Sequence, residues 1–330
     1  MLIIRTPFRI SFFGGGTDFF DYFSEYGGCV LSTTIDKYCY VSMRHLPPLF
    51  GYESQVTYSK IERFSEVDDI EHPLVRAALK YIPVDRIQIA YDADLPACSG
   101  IGSSSAFAVA LLQGLHAIKG EKPDKMSLAK EAIYLERDYL NEAGGVQDQI
   151  ASALGGFNRL DFSSNGFNVT PLEISPTVKE TLQNNLFLTF TGFTRFSSDV
   201  AVEQKKNISS TRRQLDEMKS LVSVAENFLK QGKTDDFGRL LDYTWDLKKS
   251  LSKGITNPEI DELYECAKKN GAIGGKVLGA GGGGFMLLYV PLKNRERFIE
   301  KTKGSNIIPF GFENKGTEII YSDDLFGNFK

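Results

Sequence analysis

The stretch that decides the fold of this chain reads Pro96-Ala97-Cys98-Ser99-Gly100-Ile101-Gly102-Ser103-Ser104-Ser105-Ala106. Its two glycines permit a tight turn and a close approach of the backbone to a ligand. The small and apolar residues that follow predict a buried helix over 103–119, whose first N–H groups and dipole favour a phosphate. Helix capping is the simpler alternative, but it explains one serine and not three in a row. The loop therefore predicts a cradle for the phosphates of a nucleotide.

Two other nucleotide-binding motifs do not fit this chain. No Gly-x4-Gly-Lys-Ser/Thr run occurs, since Gly275-Lys276 is followed by Val277. The run 279–284 satisfies Gly-x-Gly-x-x-Gly, but it leads into a predicted strand over 285–290. A dinucleotide-binding fold requires a helix at that point, so we do not expect one here.

Length and composition narrow the class of protein. The chain has 330 residues and a formal net charge of -4, with no run of Lys or Arg longer than a pair. That length suits two domains, and the charge disfavours nucleic acid or a membrane surface as partner. The four cysteines and three histidines are scattered, which excludes the spacing of a zinc site or a disulfide framework. Arg5 and Arg9 interrupt the apolar N-terminal stretch, so we expect no signal peptide and a cytoplasmic protein.

Hydrophobic patterning predicts an α+β chain. The predicted strands cover 2–13, 30–43, 55–61, 86–92, 157–162, 186–191, 285–290 and 317–322. The predicted helices cover 103–119, 127–141, 146–154, 198–230, 234–251, 257–270 and 293–303. The turn-rich segment 165–176 is the expected approach to a domain boundary, which divides the chain into 1–180 and 181–330.

Three separated segments carry a resemblance to a known family. They are Thr6-Pro7-Phe8-Arg9-Ile10-Ser11-Phe12-Phe13-Gly14-Gly15-Gly16-Thr17-Asp18, the loop from Pro96 to Ala106, and Lys276-Val277-Leu278-Gly279-Ala280-Gly281-Gly282-Gly283-Gly284. Together and in this order they resemble the motifs of the GHMP kinase superfamily, which includes galactokinase, homoserine kinase and mevalonate kinase. The middle segment is similar to the family's Pro-x3-Gly-Leu-Gly-Ser-Ser-Ala motif, with Ile101 in place of leucine.

The resemblance implies a two-domain GHMP kinase fold. An ATP-binding domain over 1–180, like ribosomal protein S5 domain 2, would pack on a ferredoxin-like domain over 181–330, with the site in the cleft between them. The residues implied to bind the nucleotide are Pro96, Ser99, Gly100, Ile101, Gly102, Ser103, Ser104 and Ser105. The adenine pocket has little signal in the sequence, and Tyr58 and Lys60 are its candidates.

The resemblance also implies a catalytic pair and a metal site. Asp148 matches the galactokinase aspartate that acts as base, and Arg9 matches the arginine beside it. Ser104 and Glu136 match the family's Mg²⁺ ligands, which fits the preference of this ion for a few hard oxygens. The simpler alternatives are a helix-dipole charge for Asp148, a strand-end arginine for Arg9, and a solvated face for Glu136-Arg137.

Several details resemble one branch of the superfamily, the bacterial D-glycero-D-manno-heptose 7-phosphate kinases. They lie in segments 8–18, 31–38 and 144–149. The branch implies an ATP-dependent kinase that phosphorylates the anomeric hydroxyl of this sugar to give the 1,7-bisphosphate, on the way to nucleotide-activated heptose. The residues implied to bind the sugar are Gly15, Gly16, Thr17, Asp18, Asp148, Gly281 and Gly282.

A substrate phosphate requires a cation. The sequence offers Arg195, which follows a predicted strand, with Lys37 and Arg44 as alternatives. Two rival functions stay open at this point. One is a kinase for another sugar, such as fucose or galactose, which would not need that cation. The other is a catalytically silent protein that senses a sugar or nucleotide.

Overall fold

The computed structural model describes residues 1–193, 197–302 and 306–323. Its strands are β1 (Leu2–Phe13), β2 (Gly28–His45), β3 (Ser54–Thr57), β4 (Ile61–Phe64), β5 (Ile87–Ala93), β6 (Phe157–Ser163), β7 (Gly166–Pro171), β8 (Leu186–Phe190), β9 (Gly274–Val277), β10 (Phe285–Tyr289), β11 (Asn306–Ile308), β12 (Phe312–Glu313) and β13 (Glu318–Ser322).

The helices are α1 (Phe20–Tyr26), α2 (Pro73–Tyr81), α3 (Ser103–Ile118), α4 (Lys125–Ile133), α5 (Gln147–Leu154), α6 (Pro176–Asn185), α7 (Ser197–Asn207), α8 (Arg212–Lys230), α9 (Thr234–Lys249), α10 (Pro258–Lys269) and α11 (Arg295–Lys301). A π-helical turn, Tyr134–Tyr139, follows α4 directly. None of the helices in the described ranges has the length and apolarity required to span a bilayer.

The first layer is a large sheet built around β2. Among the described residues it has nine strands, of which β13, β1, β2, β5, β3 and β4 follow in this order. Strand β2 pairs with β1 along most of its length, with β6 at its start, with β12 near its middle and with β5 at its end. Helix α3 packs on β1 and β2 and is covered by α2, α4 and α5. This double cover explains why α3 is apolar on nearly every face.

The second layer is smaller and belongs to the second half of the chain. Strands β11, β8, β10 and β9 form an antiparallel sheet in that order. Helix α9 packs against β9, and its Trp245 is fully buried. Helix α8 is amphipathic as well, and it packs on α9 and on β1 and β2 of the first sheet.

The end of the chain returns to the first sheet. Strand β12 pairs with β2, and β13 pairs with β1. The nine-stranded sheet therefore takes strands from both sides of residue 180, where the sequence predicted a boundary. The ranges 1–180 and 181–330 stay a prediction for the division of the chain into domains.

Three predicted elements differ from the structure. The predicted strand 55–61 is a hairpin, β3 and β4, because the chain turns at residues 58–60. The predicted helix 198–230 is interrupted between α7 and α8, where the Thr211 hydroxyl bonds the carbonyl of Asn207. The turn-rich segment 165–176 contains β7, which forms a hairpin with β6.

Candidate active site

A single deep cleft gathers the motifs that the sequence singled out. Its walls come from the end of β1, the loop before α3, the π-helical turn, the start of α5 and the loop after β9. Its volume of about 410 Å³ suits a small molecule. The loop before α3 contributes Gly100 and Gly102 to the walls, and the first turn of α3 contributes Ser103, Ser104 and Ser105. The N-terminus of α3 therefore opens into the cleft, as a phosphate cradle requires.

Arg9 and Asp148 form a bidentate ion pair in this cleft. The Arg9 Nε and Nη2 atoms each lie 2.8 Å from an oxygen of the Asp148 carboxylate. Arg9 also donates from Nη1 to the carbonyl of Gly100 at 2.6 Å, and its backbone N–H donates to the carbonyl of Ile101. The arginine is buried, whereas the aspartate keeps 22% of its side chain exposed. The pair thus ties the first residues of α5 to the phosphate loop.

The glycine loop after β9 supports the phosphate loop from behind. The backbone N–H of Phe285 donates to the carbonyl of Ser99 at 2.9 Å. A Cβ atom on Gly279 would lie 2.5 Å from Gly100 Cα, so the two loops touch through their backbones. Strand β10 follows the glycine run, which confirms the strand predicted there and contradicts a dinucleotide-binding motif.

Glu136 lies at the base of the loop and meets its serines. The Ser104 hydroxyl donates to Glu136 Oε1 at 3.0 Å, and the Ser105 hydroxyl donates to Oε2 at 2.7 Å. Gln149 Nε2 also donates to Oε2, and Glu136 is only 1% exposed, so it does not belong to a solvated face. Nothing in the described part of the chain gathers three His, Cys, Asp or Glu side chains into a metal site. One carboxylate and one hydroxyl nevertheless fit Mg²⁺, which takes its other ligands from phosphates and water.

Asp18 forms the opposite wall and is held by backbone donors. Its Oδ1 accepts from Gly16 N at 2.9 Å, and its Oδ2 accepts from Gln147 N at 3.3 Å. Burial raises the pKa of Asp18, and the nearby Asp148 raises it further. A Cβ atom on Gly145 would lie 1.8 Å from the Asp18 carboxylate, so only glycine fits there.

Two polar groups of the cleft wall have no hydrogen-bond partner among the residues that the structure describes. They are the Ser11 hydroxyl and the side-chain oxygen of Gln147, both buried and both in residues of the cleft wall. Gly15 lies between the two side chains. A Cβ atom on Gly15 would be 3.5 Å from the Ser11 hydroxyl and 3.7 Å from the side-chain nitrogen of Gln147. A buried polar atom that lacks a partner is costly, so these atoms are ready to bind a polar ligand.

Two buried lysines form the floor near Arg9. Lys276 donates to the carbonyl of Phe12 at 2.9 Å, and Lys248 donates to the carbonyls of Val277 and Gly279 at 2.9 and 2.5 Å. Burial lowers the pKa of Lys276 to about 7, with a further lowering from Arg9. Burial, Lys276 and Arg9 together lower the pKa of Lys248 well below its usual value. The Lys276 bond to Phe12 joins the second sheet to the first.

Aromatic rings line the far end of the cleft. The rings of Tyr58 and His72 are 4.9 Å apart, and those of Tyr91 and Phe107 are 4.8 Å apart. These flat apolar surfaces suit a planar base. Tyr58 therefore stays a candidate for the adenine pocket. Lys60 is wrong as a candidate, because it points to solvent and pairs with Glu71 outside the cleft wall.

The cleft brings together most of the predicted site residues, but several support it from outside. Thr17 is fully buried and donates to the carbonyls of Gly14 and Cys29. Gly281 and Gly282 pack against Ile255. The residues of the phosphate loop that do not line the cleft are Pro96, Ser99 and Ile101. Thr17, the two glycines and these three loop residues therefore support the cleft from outside its wall. That any of them contacts a ligand directly stays a prediction.

Arg195 lies outside the described residues. The sequence analysis assigned no role to several polar residues of the cleft wall, which include Ser11, Arg137, Glu142, Gln147, Gln204, Lys248 and Lys276, nor to the aromatic residues His72, Tyr91 and Phe107. Lys276 could have been recognised in the sequence as a candidate, since it is the first residue of the third motif. Lys248 could not have been recognised, because Lys248-Lys249 resembles the solvated end of any helix.

Comparison with known proteins agrees with this geometry. The GHMP kinase N-terminal domain matches residues 72–156, and the GHMP kinase C-terminal domain matches residues 224–303. The D-glycero-alpha-D-manno-heptose 7-phosphate kinase of Campylobacter jejuni is 30% identical over 95% of this chain and 97% of its own length. The L-fucokinase/L-fucose-1-P guanylyltransferase of Bacteroides fragilis is 26% identical over 91% of this chain and 35% of its own length.

Solved structures show the same fold. The crystal structure of a D-glycero-D-manno-heptose 1-phosphate kinase from Bacteroides thetaiotaomicron superposes with a TM-score of 0.80. It is 24% identical and covers 98% of this chain and 100% of that one. The predicted two-domain α+β fold and the predicted family are both confirmed. The chain belongs to the GHMP kinases, and it is a kinase of that family.

Proposed function

We propose that this kinase transfers the γ-phosphoryl group of ATP to the anomeric hydroxyl of D-glycero-D-manno-heptose 7-phosphate. The product is the 1,7-bisphosphate, which would supply nucleotide-activated heptose. Similarity over nearly the whole length to a kinase named for this substrate supports the choice of sugar phosphate. The observation that carries the proposal is the cluster of Ser11, Asp18 and Gln147 beside the Arg9–Asp148 pair.

This polar cluster matches the chemistry of a sugar. A sugar hydroxyl both donates and accepts, so it can pair with the Asp18 carboxylate and with the Ser11 hydroxyl. The side-chain oxygen of Gln147 has no partner in the described structure and accepts only, so it requires a donor from the ligand. Together, the polar side chains of Ser11, Asp18 and Gln147 favour a ligand with several hydroxyls.

The Arg9–Asp148 pair suits an in-line transfer with little covalent assistance. Both carboxylate oxygens of Asp148 accept from Arg9, so the pair fixes the position of the carboxylate in the cleft. Such a carboxylate orients the attacking hydroxyl and accepts its proton as the new bond forms. This is sufficient for phosphoryl transfer, in which the transition state is loose. Arg9 adds positive charge beside the transferred group.

ATP and Mg²⁺ complete the proposed site. The first turn of α3 and the loop before it would bind the phosphates, with their backbone N–H groups and serine hydroxyls as donors. Ser104 and Glu136 would hold Mg²⁺, which neutralises charge on the phosphates when it is bound. Tyr58, Tyr91 and Phe107 offer apolar surfaces for the adenine.

A substrate panel tests the proposal. ADP release is measured with D-glycero-D-manno-heptose 7-phosphate, the same heptose without its phosphate, L-fucose and D-galactose, each with Mg²⁺ and with EDTA. We expect the highest kcat/KM for the phosphorylated heptose and no turnover with EDTA. Faster turnover of a free sugar would show the rival sugar kinase instead. ATP binding without turnover of any sugar would show a silent sensor.

Other expectations from the sequence stay predictions. They are the cytoplasmic location and the lack of nucleic-acid or membrane partners. Gly281 and Gly282 also stay proposed for the sugar pocket, although their backbones pack on Ile255.

A further inference from the structure

Arg137 lines the same cleft as the polar cluster of Ser11, Asp18 and Gln147 that is proposed to bind the sugar. Its Nε donates to the carbonyl of Gly145 at 3.0 Å. The same glycine packs so closely on the Asp18 carboxylate that a Cβ atom would lie 1.8 Å from it. Arg137 and Asp18 therefore contact the two sides of one glycine, and both residues line the cleft.

The guanidinium of Arg137 keeps donors free. It carries five N–H groups, and the bond to Gly145 uses one of them. The carboxylate of Glu142 lies 3.8 Å from Nη1, which makes an ion pair but lies beyond hydrogen-bond reach. In the part of the chain that the structure describes, neither η-nitrogen of Arg137 makes a hydrogen bond.

The other cations of the cleft wall are already engaged. Arg9 directs its fork at Asp148 and Gly100. Lys248 and Lys276 donate to backbone carbonyls on the floor of the cleft, and burial lowers the pKa of both. A guanidinium stays charged in any such environment. Among the described cations of the cleft, Arg137 combines a permanent charge with unused donors.

The backbone holds this guanidinium in place. A Cβ atom on Gly144 would lie 3.0 Å from Arg137 Nη2 and 3.2 Å from its Cζ. The guanidinium thus lies against the backbone of Gly144-Gly145, with 17% of the Arg137 side chain exposed. A group fixed before binding loses little conformational freedom when the ligand arrives.

We propose that Arg137 is the binding site for the phosphate that the sugar substrate already carries, through its two η-nitrogens. A planar fork with two parallel donors matches the oxygens of a phosphate monoester. This inference rests on the proposed function, since a free sugar has no such group. It assigns to Arg137 the role that the sequence assigned to Arg195.

The test compares two substrates that differ only by the phosphate. D-glycero-D-manno-heptose 7-phosphate and the unphosphorylated heptose are assayed with the wild type, Arg137→Met and Arg137→Lys. We expect Arg137→Met to raise the KM of the phosphorylated heptose by about 10- to 100-fold, the value of a charged hydrogen bond. The KM of ATP and that of the free heptose should change by less than about threefold. Arg137→Lys keeps the charge and should recover part of the loss.

Arg76→Met serves as the matched control. Arg76 also donates to one backbone carbonyl, that of Ile70, and it lies outside the cleft. Thermal unfolding checks that each variant folds, and calorimetric titration of the phosphorylated heptose without ATP measures binding apart from turnover. Equal KM increases for both substrates, or none, would overturn the assignment of Arg137. A wild type that prefers the free heptose would instead overturn the proposed function, before any variant is made.

Discussion

The two glycine-rich segments of this kinase differ in composition and in role. The loop before α3 and the first turn of that helix together have two glycines and four serines. The loop after β9 has five glycines and one alanine, and a strand follows it. The first exposes N–H groups and hydroxyls to the cleft, whereas the second offers mainly backbone. The element that follows a glycine run therefore decides whether the run binds a ligand or supports another loop.

The contacts of the two loops show the same division. Arg9 connects the first loop to Asp148, which is the candidate catalytic base. Lys248 donates to the carbonyl of Gly279 in the second loop, and this loop lies directly against Gly100. We expect changes near the first loop to affect turnover. We expect changes in the second loop to affect binding and stability.

The largest expected effect concerns Asp148. Asp148→Asn removes the proton acceptor but keeps the shape, so kcat should fall by at least about 100-fold while ATP binding persists. Steady-state assays of ADP release and titration of ATP measure the two quantities. Asp138→Asn is the matched control, since Asp138 is exposed on the π-helical turn. A kcat near that of the wild type would remove Asp148 from the catalytic pair.

A smaller effect is expected from Gly279→Ala. The new Cβ atom would lie 2.5 Å from Gly100 Cα, so the phosphate loop must shift, and the KM of ATP should rise by about tenfold or more. Gly120→Ala provides the control, because Gly120 has a similar φ of 78° against 64° but open space around it. Both variants should lose about 1–2 kcal/mol of stability from the left-handed backbone. If both raise the KM of ATP equally, the second loop does not support the first.

The smallest effect concerns Lys276, which precedes the second loop. Its pKa is lowered to about 7 in the folded protein from an ordinary value of 10.5. Between these values the unfolded chain binds a proton that the folded chain does not, so the wild type should gain stability as the pH rises.

Urea unfolding at pH 7, 8 and 9 measures this gain. Relative to Lys276→Met, the free energy of unfolding of the wild type should rise by about 1 kcal/mol per pH unit at most. Lys249→Met, at the partly exposed end of α9, should run parallel to the wild type. Parallel curves for Lys276→Met as well would show that the folded lysine keeps its proton.

Much of the site could be predicted because its signals are local. The phosphate loop, the start of α3 and the position of Asp148 at the start of α5 all follow from short runs of residues. The sequence also indicated Glu136, but it could not exclude a solvated face, because charged neighbours surround it. Its burial against Ser104 and Ser105 decided the question.

The other half of the site depends on contacts between distant parts of the chain. In the sequence, Lys248 and Lys276 look like any solvated lysine. The pattern of hydrophobic residues does not distinguish a buried ammonium from an exposed one. The aromatic end needs Tyr58, His72 and Phe107 from three different elements. The pairing of β12 and β13 with strands of the first sheet could not be predicted either, because the sequence of a strand does not show which strand it pairs with.

The sequence by itself therefore determined the family, most of the helices and strands, and the residues whose chemistry suits phosphoryl transfer. Local turns, helix starts and residue types are sufficient for these. The tertiary structure decided which residues meet: Arg9 with Asp148 across 139 positions, and Lys276 with Phe12 across 264. It also decided which of the cations in the cleft keep free donors. Burial and hydrogen-bond saturation are properties of the packed chain, and they become defined only when distant segments come together.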